Sequence, residues 1–469
     1  MLKRIEYFVF FFATLPFFVA TVRGQSTEDA RKLYSEGKYA EALPVFEKLV
    51  KSSPKNASYN QWYGNCLLET GNPGQAEPFL QAAASKKVME AYASLGKMYY
   101  LQYQFEASAQ AYARYSEALS KEKRAAEAAT ADSLRQRSER AARMLSHCED
   151  IQLIDSVTVD KNAFLDAYHF SNECGSLETD GSRIVYNNPL KNKRYFAEKT
   201  EGGPYRIYSE IKLQDQWSDR KELAFTSAPS AGDRYPFVLQ DGLTLYFASA
   251  GGSSIGGYDL YVTRYNLNND TYLAPNQLGM PFNSIANDYM LVLDEINRIG
   301  YFATDRFQPE NQVVVYTFIP NEEILPLNTD QPGEWAARAK ITSLRDTWKP
   351  GVDYAAYLAQ VKDQVLKEKV KATRDFTFVI NDRLIYYTLN DFRNDAAKQA
   401  FAKASELKRE IDQLEEELDR LRREYAGPGK KQRSVILSKE ERLDDLLARY
   451  GQLAVAARNL EIKFITRNS

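Results

Sequence analysis

Three successive patterns of apolar and polar positions divide the chain. From residue 25 to 150, apolar and small residues recur every three to four positions, which is typical of amphipathic helices. From 151 to 392, short apolar and aromatic runs alternate with Gly, Asn and Asp, which favours strands and turns. From 393 to 469, leucines recur in a heptad pattern typical of packed helices. We therefore expect a multidomain α + β protein.

The helical region contains an internal repeat. Gly64 and Gly96 have similar neighbours and stand about one 34-residue period apart, and Gly37–Phe46 has the composition of the second helix of a unit. These residues resemble tetratricopeptide repeats, whose paired helices stack into an α-solenoid. A charged stretch, roughly Tyr115–Cys148, follows the repeats. It is predicted to be one long helix that covers the end of the array, because repeat arrays need a polar last face.

The strand region is organised around one hairpin, Tyr235–Ser249, in which Asp241-Gly242 predicts a two-residue turn. The same strand-turn-strand unit recurs three times, at Leu177–Tyr186, Tyr289–Ala303 and Phe378–Tyr387. Each unit predicts part of one blade of a β-propeller, and four blades is the lower limit for closure. The propeller is therefore either minimal or contains a further blade that the pattern does not reveal.

A helix is predicted within the longest gap between these units, near residues 351–371. Asp353 is a favourable N-cap, and the apolar residues that follow it have helical spacing. We expect this helix to pack on the side of the propeller, and the alternative is a helix that binds a partner.

The C-terminal region is predicted to be an antiparallel helical hairpin. The two apolar stripes are separated by a Gly-Pro break at Ala426–Gly429, and Ser438 with Glu441 forms a capping-box pattern for the second helix. The alternative is that each helix pairs with another chain. The first stripe comprises Leu407, Ile411, Leu414, Leu418 and Leu421.

The first 24 residues have the pattern of a secretory signal peptide. Lys3 and Arg4 precede an apolar run, and small residues precede Gln25. We expect export and removal of this segment; an uncleaved anchor is the alternative, and cleavage at Gly24 is left open. The net charge of −2 gives no electrostatic case for nucleic-acid binding.

Few residues have the spacing of a reactive site. Gly252-Ser253-Ser254-Ile255-Gly256 formally matches a nucleophile elbow, but such a serine needs a following helix and a later histidine. Both histidines, His147 and His169, precede it. We therefore expect no catalytic residue, no cofactor and no metal site.

The three cysteines, Cys66, Cys148 and Cys174, lack the spacing of metal ligands. A disulfide between Cys148 and Cys174 would brace the helical and strand regions in an oxidising compartment. Two separate thiols are the favoured prediction.

The central hairpin also carries a family resemblance. Tyr235-Pro236-Phe237 with Asp241-Gly242, then Gly257-Tyr258-Asp259-Leu260-Tyr261, then Leu278-Gly279 with Phe282-Asn283-Ser284 resemble PD40-type, WD40-like repeats. The resemblance is greatest to periplasmic proteins of the Bacteroidota. The order of signal peptide, tetratricopeptide array and PD40-like propeller resembles envelope proteins, some of which are accessory components of type IX secretion and gliding machinery. Unlike them, this sequence has no lipid-attachment cysteine and no OmpA-like domain.

The resemblance implies the following organisation and role. The chain would comprise a signal peptide at 1–24, tetratricopeptide-like helices with a capping helix at 25–150, a propeller at 151–392 and a helical hairpin at 393–469. We expect a non-enzymatic periplasmic scaffold held at the outer membrane through partner envelope proteins, such as an outer-membrane β-barrel or a secretion assembly. The alternative is a propeller that binds or processes a glycan or a small ligand. The partner-binding groove residues implied by the repeat resemblance are Gln61, Asn65, Glu90, Lys97 and Tyr100.

Overall fold

The computed structural model describes residues 26–180, 183–213, 216–226, 232–360, 363, 376–381, 384–425 and 433–467. The predicted signal peptide lies outside these residues. The chain divides into two compact units, the first ending at Tyr354 and the second beginning at Ala355. Among the described helices, none combines the length and the apolar character that a membrane crossing requires.

The first unit begins with seven helices that pack in sequence. In the pairs α3–α4 and α5–α6, the second helix contacts the first so closely that only glycine fits at the contact. A Cβ atom on Gly64 would lie 2.8 Å from Leu80, and one on Gly96 would lie 2.8 Å from the ring of Tyr112. The predicted repeat of helix pairs is confirmed. The helices are α1 (Thr27–Ser35), α2 (Tyr39–Ser52), α3 (Ala57–Glu69), α4 (Pro73–Ser85), α5 (Met89–Leu101), α6 (Phe105–Lys121) and α7 (Ala125–Ser146).

The predicted bounds of the long last helix are wrong, because the stretch from Tyr115 to Cys148 is divided between α6 and α7. The chain turns at Lys123, which has a φ angle of +61°. Helix α7 then packs back on α6, where Ala128 and Ala131 are buried beside Leu119. These small residues lie among many charged ones, so the sequence does not mark the break.

Three antiparallel sheets follow the helices. The first contains β2 to β6 in chain order, and the second contains β7 to β10, with β11 paired to β9. In the third the order is β1-β14-β13-β12, so the first strand of the region completes the last sheet. Strand β7 packs against the first sheet, and β12 packs against the second, so the sheets are stacked in succession.

The strands of the first unit are β1 (Gln152–Asp160), β2 (Ser176–Asp180), β3 (Arg183–Asn187), β4 (Lys193–Lys199), β5 (Tyr205–Leu213), β6 (Gln216–Glu222), β7 (Asp233–Val238), β8 (Thr244–Ser249), β9 (Asp259–Asn266), β10 (Thr271–Tyr272), β11 (Asn276–Gln277), β12 (Asp288–Asp294), β13 (Ile299–Thr304) and β14 (Gln312–Ile319). A short helix, α8 (Pro332–Lys340), follows them.

The central hairpin forms, but its turn is longer than predicted. Strand β7 ends at Val238 and β8 begins at Thr244, so five residues connect them. The carboxylate of Asp241 accepts hydrogen bonds from the amides of Leu243 and Thr244, both at 2.8 Å. Gly242 alone supplies the positive φ angle, +66°.

The fourth predicted blade, Phe378–Tyr387, differs from the expectation. Strands β15 (Phe378–Asn381) and β16 (Leu384–Tyr386) form a separate two-stranded sheet. Within the second unit its apolar side packs against Phe392, Phe401 and Ala457. The alternating pattern of this hairpin is therefore satisfied by a helical surface rather than by neighbouring blades.

The second unit is built on two long helices, α10 (Asp395–Tyr425) and α11 (Arg433–Arg467). Ion pairs join Glu417 to Lys439 and Glu410 to Arg442, so the helices run antiparallel as predicted. The predicted break at residues 426–429 lies outside the described residues. Helix α11 begins before Ser438, which is therefore not its N-cap.

The predicted helix near 351–371 is described only in part. Helix α9 begins at Tyr354, directly after the predicted N-cap Asp353, and is described over 354–360 and at 363.

The hairpin predicts a selective effect of core substitutions. Leu414 and Leu418 are buried between α10 and α11. Replacing both with Asp should unfold the hairpin, since each change costs about 3 kcal/mol or more. Limited proteolysis of the full chain should then cut within 395–467 and leave the first unit intact.

The matched control replaces two exposed leucines of α11, Leu437 and Leu447, with Asp. This variant should resist proteolysis like the wild type. Full protection of residues 395–467 in the buried double variant would contradict the hairpin packing.

Candidate functional site

The first helices of the three pairs, α1, α3 and α5, are linked by polar contacts across one face of the array. Gln61 Nε2 donates a hydrogen bond to the hydroxyl of Tyr34 at 3.1 Å, joining α3 to α1. The hydroxyl of Ser94 donates to Asn65 Oδ1 at 2.7 Å, joining α5 to α3. We call this surface the first-helix face.

An ion pair extends the same ladder. Lys97 Nζ lies 2.7 Å from both carboxylate oxygens of Glu69, and it again joins α5 to α3. Exposed ion pairs contribute little to stability. The Lys97–Glu69 pair instead fixes the position of a charged group on the first-helix face.

The structure separates the five predicted groove residues into three kinds. Gln61 and Asn65 are only 4% and 8% exposed. They therefore link neighbouring helices and are not accessible to a partner protein. Glu90 and Lys97 are exposed on the first-helix face. Glu90 also lies close enough to Tyr34 to contribute to its raised pKa of about 12, which burial chiefly causes.

Tyr100 is a correction to the predicted groove, because it is buried where the array meets the sheets. Its hydroxyl donates to the carbonyl oxygen of Ile255, and the guanidinium of Arg137 lies 4.7 Å from the centre of its ring. The helical spacing places Tyr100 one turn after Lys97. This local spacing gives no sign that the sheet region packs against Tyr100.

The segment that Tyr100 contacts is the loop Gly252–Gly256, between β8 and β9, which we call the joint loop. Arg140 of α7 donates from Nε to the carbonyl of Ser253 at 3.0 Å and from Nη2 to that of Gly252 at 3.1 Å. The side chain of Ile255 is fully buried in an apolar cluster shared by both regions. The cluster comprises Tyr100, Tyr103, Phe105, Ala141, Cys148, Ile255, Met280 and Ala339.

The joint loop is the segment that resembles a nucleophile elbow, and its geometry is structural. Ser254 lies between two strands, is 7% exposed, and donates its hydroxyl proton to the carbonyl of Ser249 at 3.0 Å. A Cβ atom on Gly256 would lie 1.9 Å from the carbonyl oxygen of Ala286, so this glycine permits close packing of two loops. The serine and glycine of the motif are therefore explained by loop packing.

Asp259, the first residue of β9, fixes the joint loop by hydrogen bonds. Its carboxylate accepts hydrogen bonds from the amides of Ile255 at 2.9 Å and Gly256 at 3.2 Å, and from Gln277 Nε2 at 2.9 Å. Burial of this carboxyl raises its pKa to about 7, against the opposing effect of the amide hydrogen bonds.

A second buried group supports the same region. Arg306 is almost fully buried, and its Nη2 lies 2.9 Å from Asp288 Oδ1. The same guanidinium donates to the carbonyls of Pro281, Phe282 and Ala339. Since these four partners lie in three segments, Arg306 ties β12, the loop before it and α8 together.

The cysteines are separate and buried. Cys148 and Cys174 do not form a disulfide, as the favoured prediction had it, and Cys66 is also a free thiol. Burial raises the pKa of Cys66 to about 12, which keeps it as a thiol. In the described part of the chain, no cluster of three His, Cys, Asp or Glu side chains could hold a metal ion.

The comparisons support the repeat assignment. Residues 33–98 match the tetratricopeptide repeat family, and they run from the end of α1 into α5. No curated protein and no solved structure matches the chain. Residues 33–98 of the helical array are therefore similar to tetratricopeptide repeats.

The contact at the joint loop predicts the effect of removing Arg140. The variant Arg140→Ala should lose about 0.5–1.5 kcal/mol of stability, because two carbonyls lose a charged donor while that of Ser253 keeps its hydrogen bond from Gln277. Hydrogen exchange of the amides in 252–256 should accelerate. Arg143→Ala, on the same helix but exposed, is the control and should exchange like the wild type. Equal exchange in both variants would contradict the contact.

The raised pKa of Asp259 predicts a pH dependence. Its folded pKa of about 7 lies above the ordinary value of 3.8, so ionisation destabilises the native state and stability falls as pH rises from about 4 to 7. The loss is about 1.4 kcal/mol per pKa unit. Chemical denaturation at several pH values should show this fall relative to Asp259→Asn.

Asp241 is the control, because the pKa of its carboxyl is shifted in the opposite direction. Burial would raise the pKa of its carboxyl, but hydrogen bonds from Thr244 and Leu243 outweigh it and lower the pKa. Wild type should therefore lose stability relative to Asp241→Asn as pH falls. A pH-independent difference between wild type and Asp259→Asn would contradict the assignment for Asp259.

Proposed function

We propose that this chain is a non-enzymatic scaffold that binds other proteins through its tetratricopeptide array. The match of residues 33–98 to that repeat family is the observation that carries the proposal. The first-helix face supports it, because Glu90 and Lys97 are exposed there while Gln61 and Asn65 fix the helices beneath them. A preorganised face of this kind binds with little loss of conformational freedom.

In this proposal the three sheets belong to a PD40-type propeller that serves as a second docking surface. The pairing of β1 with β14 supports it, because the first strand of the region completes the last sheet and covers an edge that would otherwise be free to pair. Contacts at the joint loop support a fixed relation between the array and the sheets.

The proposed location is the periplasm, at the outer membrane. The signal-peptide pattern of residues 1–24 and the resemblance to Bacteroidota envelope proteins support this location. The proposed partners are envelope proteins, with an outer-membrane β-barrel or a secretion assembly as the specific candidates. Retention through partners is part of the proposal, since the sequence carries no lipid-attachment cysteine after the apolar run.

Cross-linking in native cells followed by gentle detergent extraction tests the proposal. The wild type should elute in a complex. The double variant Glu90→Lys with Lys97→Glu keeps the net charge but exchanges the charges of the first-helix face, and it should release the chain from that complex.

The control exchanges the charges of an exposed ion pair on α6, with Glu117→Lys and Lys121→Glu. This variant should behave like the wild type. A wild-type chain released as a monomer by osmotic shock, with no cross-linked partner, would overturn the scaffold proposal.

A propeller that binds a glycan or a small ligand is the second candidate function. The observation that favours it is a cavity between two of the sheets.

A further inference from the structure

The second and third sheets line a cavity of about 750 Å³ that is partly open to solvent and also contacts the end of α7. Its volume lies within the range of roughly 300–1,000 Å³ that is typical of small-ligand sites. The walls are mainly apolar side chains from both sheets and from the loop between them, namely Val262, Leu278, Phe282, Leu291, Leu293 and Phe318.

Two polar groups line this apolar cavity without full hydrogen bonding. Glu149 Oε1 accepts one hydrogen bond, from Asn321 Nδ2 at 2.9 Å, and its other carboxylate oxygen has no partner in the described part of the chain. The hydroxyl of Tyr246 likewise has none among the described residues. Both residues line the cavity, so the second carboxylate oxygen of Glu149 and the hydroxyl of Tyr246 are each available to hydrogen-bond a ligand.

Burial affects the chemistry of both groups. It raises the pKa of Glu149 above its ordinary range, against the opposing hydrogen bond from Asn321. It also raises the pKa of Tyr246 to about 12, and the charge of Glu149 adds to that effect. The two groups therefore interact electrostatically, and both line the same cavity.

The charges around the cavity favour a cation. Glu322 and Glu323 lie at the rim with Glu149 further in, whereas Arg143 is the one Lys or Arg side chain among the described lining residues. Glu322 also forms an ion pair with Arg298. An anionic head group would face the Glu149 carboxylate, but an ammonium group would pair with it.

We propose that this cavity binds an amphiphilic amine. The apolar body would lie between the second and third sheets. The ammonium head would donate hydrogen bonds to the free carboxylate oxygen of Glu149 and to the hydroxyl oxygen of Tyr246. This site is separate from the first-helix face, so the inference does not depend on the scaffold function.

Three probes of equal chain length test the head-group preference by calorimetry at pH 7.5 with the full chain. Octylamine should bind at least about tenfold more tightly than octanoate, a difference of about 1.4 kcal/mol. The neutral probe, 1-octanol, should bind with intermediate affinity. Absence of saturable octylamine binding, or octanoate affinity equal to that of octylamine, would overturn the proposal.

Two variants locate the binding. Glu149→Gln should remove the preference for octylamine over octanol while leaving octanol binding unchanged. Val262→Trp should fill the cavity and abolish binding of all three probes. Val157→Trp places the same residue on an exposed position of β1 and is the matched control.

Circular dichroism should establish that each variant is folded before binding is compared. If Val262→Trp is folded and still binds octylamine, the amine binds elsewhere and the cavity assignment is wrong. The same conclusion follows if Val157→Trp weakens binding as much as Val262→Trp does.

Discussion

The first unit depends on one contact, the insertion of the joint loop into the end of the helical array. Ile255 is buried among residues of α5, α6 and α7, and three carbonyl oxygens of the loop accept hydrogen bonds from Tyr100 and Arg140. Backbone carbonyls that are buried without partners are costly, at about 1–3 kcal/mol each. The helices therefore satisfy the buried carbonyl of Ile255, whereas the carbonyl of Ser253 also accepts a hydrogen bond from Gln277 on the sheet side.

The loop can make this contact because its shape is fixed on the sheet side. Asp259 binds two of its amides, and Gly256 allows it to touch the loop that precedes β12. Beside the joint loop, the buried pair of Arg306 and Asp288 binds the loop that precedes β12 to α8. The cost of burying these charges is offset only if their hydrogen bonds are complete. Arg306 meets this condition with several carbonyl acceptors.

The sequence predicts the order of helices, sheets and terminal hairpin, because apolar periodicity and repeated glycines are local signals. It does not reveal how regions meet. Tyr100 has the pattern of a groove residue and is instead covered by the joint loop, whereas Glu90 and Lys97 remain exposed. Ser254 fits a catalytic motif, but its hydroxyl donates to the carbonyl of Ser249 at the end of β8.

Other differences between the sequence-based prediction and the structure also arise from contacts between distant parts of the chain. The hairpin of β15 and β16 alternates like a propeller strand pair, yet the second unit covers it with helices. The capping-box pattern at Ser438 does not begin α11, because Ile436 already contributes to the core with Leu421. The cavity beside Glu149 and Tyr246 is formed by residues far apart in sequence, so no motif marks it.

The central claim is that the array and the sheets are one cooperative structure joined at this loop. Native-state hydrogen exchange in low denaturant measures the opening free energy of each segment. The account predicts that the slowest amides of α5 and α7 share one opening free energy with those of β8 and β9. A helical array that opens alone, at a free energy lower by about 2 kcal/mol or more, would contradict it.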